Sequence, residues 1–78
     1  MDINQEILEC ARYGEYEELA MYIEQGALID SIDMSGNTAL HKACANGEIE
    51  CIEVLLSKGA KRILNNSGNY PERKYICI

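Results

Sequence analysis

His41 is the single histidine of this 78-residue chain, and with Cys10, Cys44, Cys51, Cys77 and two rows of glutamate it makes up most of what could carry chemistry. A catalytic histidine needs a nucleophile and an orienting acid converging in a pocket, and the sequence offers no aspartate–histidine–nucleophile set. Gly36-Asn37-Thr38 after Asp33 reads as a turn, because a phosphate-binding loop needs more glycine and a lysine that is absent there. The cysteines are too dispersed for a metal site, with no C-x-x-C pair, so they read as reduced thiols. Cys10 and Cys44 fall on inward helical positions, where cysteine acts as a small apolar side chain; a redox pair is the alternative. The acids Glu15, Glu17, Glu18 and Glu48, Glu50, Glu53 are spaced to scatter over exposed helix faces, without the loop a calcium site needs. The expectation is a protein that is not an enzyme and holds no metal or cofactor. Of the tyrosines, Tyr22 reads as core and Tyr13 as an exposed anchor for a partner.

The elements that position these residues repeat. Gly14 and Gly47 lie 33 residues apart, as do Gly26 and Gly59. Laying 4–27 on 37–60 sets Ile7 on Leu40, Cys10 on Ala43, Ala11 on Cys44, Leu19 on Ile52, Tyr22 on Leu55 and Ile23 on Leu56. The apolar spacing predicts a helix over about 4–13 with Asn4 as its cap, ended at Gly14. A second helix follows, with Glu15, Glu17 and Glu18 in its first turn and Leu19, Tyr22 and Ile23 on its buried stripe, closed at Gly26. Ala27–Gly36 suits a projecting hairpin. Thr38 opens the next helix, Leu40 and Ala43 face inward, Gly47 turns the chain, and Glu48–Lys58 returns, with Leu55 and Leu56 expected to be the best-buried residues.

The second unit, Asp33-Met-Ser-Gly36-Asn-Thr38-Ala-Leu40-His41-Lys-Ala43-Cys-Ala-Asn-Gly47 followed by Glu48 through Ala60, closely resembles an ankyrin repeat. It keeps the D-x-x-G-x-T turn, the L-H-x-A of the first helix, the inter-helix glycine and the terminal G-A, departing at Ala39, where the family usually has proline. The resemblance implies an all-α ankyrin solenoid of helix-turn-helix units joined by β-hairpin-like loops. The units would be repeat 1 over about 1–32, repeat 2 over about 33–64 and a partial repeat 3 over about 65–78. It also implies that His41 and Thr38 serve the turn structurally. Asn65-Asn-Ser-Gly68-Asn69 restates the hairpin, after which Glu72 and Arg73 stand where leucine and histidine belong, so the third unit reads as truncated.

Charge is uneven. Residues 1–33 carry nine acids against Arg12, a charge of −8, within a net −6; residues 34–78 carry four acids and six bases. That field disfavours nucleic acid and anionic membrane and favours a partner with a basic segment. The opening Met-Asp-Ile-Asn-Gln-Glu lacks the character of a signal peptide, and no apolar run approaches spanning length, so the expected location is cytoplasmic with access to the nucleus.

By the resemblance, the partner-binding surface comprises Ile32, Met34, Ser35 and Asn37 at the hairpin tip and Lys42, Ala45 and Asn46 along the helix. Glu9, Arg12 and Tyr13 are the equivalents one repeat earlier, and Asn66 and Asn69 belong to the fragment. The acidic chain further resembles the small fungal and protist ankyrin proteins that escort a ribosomal small-subunit protein, which implies an adaptor or chaperone for a basic client. An ankyrin-type inhibitor or scaffold in signalling or transcription is the alternative. The face built from Leu40, Ala43, Ile52, Leu55 and Leu56 is expected to lie open, to be covered by the tail or by a second chain in a homodimer.

Overall fold

The structure is a computed structural model, and it describes residues 2–61. Four helices follow in order: α1 (Ile3–Tyr13), α2 (Tyr16–Glu24), α3 (Ala39–Ala45) and α4 (Ile49–Ser57). The architecture is the expected all-α stack of two helical hairpins. Between α2 and α3 the chain makes one isolated antiparallel bridge, Ile32 to Thr38, which closes the projecting loop at its base.

All four helices end by the same device. At Gly14 the backbone takes φ 77°, a left-handed conformation that a side chain would strain, and Glu15 N–H then reaches back to the Cys10 carbonyl at 2.9 Å. Ala27 to Tyr22, Glu48 to Ala43 and Ala60 to Leu55 repeat that six-residue closure at 2.9–3.0 Å. The sequence repeat is thus a repeat of helix stops.

The starts differ. Asn4 does not cap α1, as the apolar spacing suggests; the cap is Asp2, whose carboxylate accepts from Asn4 N–H at 3.0 Å. Asp2-Ile-Asn-Gln5 has the D-x-x-Q spelling of a helix start, a signal present in the sequence. The Asn4 side chain is spent on a long-range tie, its Oδ1 accepting from Leu28 N–H at 2.7 Å. The Gln5 amide reaches the Ile32 carbonyl at 3.5 Å, so α1 holds both ends of the loop that follows α2.

The core is a single cluster: Ile7, Leu8, Cys10 and Ala11 of α1, Leu19 of α2, Ala27, then Ala39, Leu40, Ala43 and Cys44 of α3 and Cys51, Ile52 and Leu55 of α4. α1 packs between α2 and α3, and α4 lies against α1, α2 and α3. Each buried leucine or isoleucine contributes roughly 1.5–3 kcal/mol, so six of them set against the chain entropy of so short a stack leave little margin.

Two burial expectations fail. Leu55 is fully buried but Leu56 is 38 % exposed, because successive residues point about 100° apart and only one of the pair faces the neighbouring helices. Tyr22 is half-buried rather than core. On the face that lacks a proper third repeat, Leu40, Ala43, Ile52 and Leu55 are buried and Leu56 is the exposed member. The tail and the fragmentary repeat, one of the two expected covers of that face, lie outside the described residues.

Candidate protein-binding surface

His41 and Thr38 are buried together at the start of α3. Thr38 Oγ1 accepts from His41 N–H at 3.3 Å, while Thr38 N–H donates to His41 Nδ1 at 3.1 Å, with the hydroxyl 2.9 Å from the same nitrogen. These are two reciprocal caps, with histidine in the role usually taken by glutamate or glutamine. Nδ1 is therefore an acceptor committed to the helix start, and it is not a base free to take a proton from a substrate.

Asp33 builds the hairpin. Its Oδ1 accepts from Ser35 N–H and Asn37 N–H at 2.9 Å each, its own N–H donates to the Asn37 carbonyl, and its Oδ2 meets Lys42 Nζ at 2.9 Å. Partial burial would raise the carboxyl, but the Lys42 contact and the amides of Asn37 and Ser35 outweigh it and hold the group at about 2. A short loop with every carboxylate oxygen occupied is a rigid mount for the residues at its tip. Met34 on that mount is 99 % exposed, with Ile32 and Ser35 also exposed beside it.

The surface continues along the first helix of each unit. Ala45 and Asn46 are exposed at the end of α3, and Glu9, Arg12 and Tyr13 are exposed on α1. Arg12 lies over the Tyr13 ring at 5.4 Å from its centroid, a cation held by an aromatic face. Asn37 and Lys42 are half-buried, Lys42 because it is drawn to Asp33. Asn66 and Asn69 lie outside the described residues.

The cysteines and acids show what spacing along the chain hides. Cys10, Cys44 and Cys51 are buried thiols, and Cys51 Sγ lies 3.7 Å from the Cys10 carbonyl. Sequence reasoning placed Cys10 and Cys44 inside but not Cys51. The turn after α1 brings the Cys10 sulfur and the carboxylates of Glu15 and Glu18 within 4.8 Å of one another. Burial first, then Glu15, Glu18 and Glu6, push the Cys10 thiol up to about 11, and burial with Glu48 does the same to Cys51. Both are neutral thiols at neutral pH, inert apolar filler and not nucleophiles. Among the described residues no helix is long and apolar enough to cross a membrane.

The family model for ankyrin repeats, which occur in many copies, matches residues 7–56. The chain belongs to the ankyrin-repeat family. It is similar to ankyrin repeat and SOCS box protein 16 of Homo sapiens, 38 % identical over 81 % of this chain and 12 % of that protein. It is similar also to SH3 and multiple ankyrin repeat domains protein 2 of Homo sapiens, 36 % identical over 91 % of this chain and 4 % of that protein. Protein phosphatase 1 regulatory subunit 27 of Mus musculus is 35 % identical over 68 % of this chain and 35 % of its own length. The chain thus spans about a third or less of each of these relatives. Ankyrin repeats are in general a non-catalytic protein-interaction module, and this chain carries that module.

Proposed function

We propose that the chain recognises another protein through the hairpin tip and the exposed side of α1 and α3, as an acidic adaptor or chaperone for a basic segment such as that of a ribosomal small-subunit protein. The observation that carries this reading is Met34, a fully solvated methionine on a loop whose base is locked by Asp33, with Ile32 and Ser35 beside it. An exposed apolar residue on a rigid mount costs solubility and offers a preformed contact in return. The −8 charge of residues 1–33 supplies the attraction for a basic client. On this reading Glu9, Arg12, Tyr13, Ile32, Met34, Ser35, Asn37, Lys42, Ala45 and Asn46 meet the partner, and the protein works in the cytosol with access to the nucleus.

Titration calorimetry of the full chain with a basic ribosomal-protein fragment tests it. Affinity should fall markedly between low salt and physiological salt, where charges are screened over about 8–10 Å, and should drop when Met34 is replaced by serine. Salt-independent affinity would remove the electrostatic part, and an unaffected Met34→Ser variant would remove the hairpin. The relative named as a phosphatase regulatory subunit favours a second reading, an inhibitor or scaffold in signalling or transcription. Capture of a kinase, a phosphatase or a transcription factor in place of a basic ribosomal protein would select it.

A further inference from the structure

Two of the exposed large apolar side chains outside the hairpin surface, Tyr16 and Ile49, stand with several acids at the edge of the stack where the two inter-helix turns meet. Tyr13-Gly14-Glu15-Tyr16 joins α1 to α2, and Asn46-Gly47-Glu48-Ile49 joins α3 to α4. These turns touch: a Cβ placed on Gly14 would stand 2.8 Å from a Glu48 carboxylate oxygen. Tyr16 and Ile49, the first residues of α2 and α4, hold equivalent places and are 42 % and 44 % exposed, with Tyr13 at 62 % beside them. Around them stand Glu15, Glu17, Glu18, Glu48 and Glu50.

We propose that this edge, where exposed Tyr16 and Ile49 hold equivalent places in successive repeats among Glu15, Glu18, Glu48 and Glu50, docks a partner segment in which arginine alternates with apolar side chains. The proposal rests on the basic-partner reading and says where the basic residues go. Charge names the occupant. The two ion pairs among the described residues, Asp33–Lys42 and Glu24–Lys58, lie elsewhere, so the hairpin's own acid is already neutralised whereas the edge's acids are not. Beneath the edge the thiols of Cys10 and Cys51 feel the same field: after burial, Glu15, Glu18 and Glu6 raise Cys10, and Glu48, Cys10, Glu50 and Glu15 raise Cys51. The apolar part favours a partner too, because two large side chains stay exposed at the same place in both units. Tyrosine beside carboxylates also suits a guanidinium, which can lie on the ring while pairing with the acid, and Arg12 over Tyr13 shows the ring contact. A second copy of the chain is a poor occupant, since it would bring its own acids against these.

The test is an amide-resolved titration of isotope-labelled full chain with a synthetic peptide of four alternating arginine–leucine pairs, against a control of arginine–serine pairs. Shifts should centre on residues 13–18 and 47–51, the control should bind about threefold more weakly, and Glu15→Gln/Glu18→Gln/Glu48→Gln should weaken the first peptide by about tenfold. Tyr16→Ser/Ile49→Ser should weaken it by about threefold, whereas Leu28→Ser, at an exposed loop position outside both surfaces, should leave it unchanged. Melting curves check that each variant is folded, and a variant that is not is replaced by Glu48→Gln alone, which should still weaken binding by about twofold. Shifts confined to 32–46 and abolished by Met34→Ser would overturn the edge while leaving the basic-partner reading intact. No saturable binding anywhere would overturn both, and self-association through the edge in a dilution series would overturn the proposed occupant.

Discussion

α2 and α4 hold the same place in successive repeats, yet α2 buries Leu19 alone whereas α4 buries Cys51, Ile52 and Leu55. Position by position, Glu18 is solvated where Cys51 is buried, and Tyr22 is half-buried where Leu55 is sealed. The cause is the number of neighbours. α4 packs on α1, α2 and α3, and its Cys51 reaches the Cys10 carbonyl; α2 packs on α1 and α4. One pattern of helix stops therefore produces two helices of unequal burial, and residue type has followed: acid and phenol where a face stays wet, thiol and leucine where it does not. In a repeat protein the stability of a unit is largely the stability of its interfaces.

The hardest blow to this comparison is an exchange of residues across it. Cys51→Glu should unfold the protein, since a carboxylate without a partner at that depth costs several kcal/mol, while Glu18→Ala should shift the melting temperature little. Comparable melts for the two variants would mean that the two helices are packed alike. Leu55→Ala should cost about 2–5 kcal/mol, against about 1–2 for Tyr22→Ala and under about 1 for Leu56→Ala, as read by denaturant titration. An equal loss at Leu55 and Leu56 would refute the orientation of α4.

The helix starts give smaller effects. Thr38→Ala should cost about 0.5–2 kcal/mol because α3 is only seven residues long and has both caps in this pair, and His41→Gln should retain much of the stability. If His41→Gln were as damaging as His41→Ala, hydrogen bonding to Thr38 would not be the reason for the histidine. The smallest effect is a pH dependence. Asp33 is held at about 2, below its ordinary 3.8, so its contribution is fully present above about pH 4 and is lost as pH falls toward 2. The difference in melting temperature between wild type and Asp33→Asn should therefore be largest at neutral pH and shrink through that window; a constant difference would mean that Lys42 and the loop amides do not hold the charged form.

The sequence alone was enough for the period, the stops and the class. Glycines 33 residues apart, with apolar residues at helical spacing between them, read as short paired helices, and D-x-x-G-x-T followed by L-H-x-A, as in ankyrin repeats, marks the turn and the cap. That Met34, Ala45, Asn46, Glu9 and Tyr13 lie at the surface was implied by the resemblance to ankyrin repeats. The start of α1 at Asp2 was legible too, in Asp2-x-x-Gln5, but Asn4 competed with it and only the fold shows Asn4 bound to Leu28. Tertiary structure decided the rest. Leu55 and Leu56 are indistinguishable by composition, and what separates them is which direction α1, α2 and α3 occupy around α4. Cys10 with Glu18, and Gly14 with Glu48, are brought together by turns and by the stacking of one unit on the next, distances that no spacing along the chain encodes. A local pattern states which faces a helix has; which of them meets water is set by its neighbours.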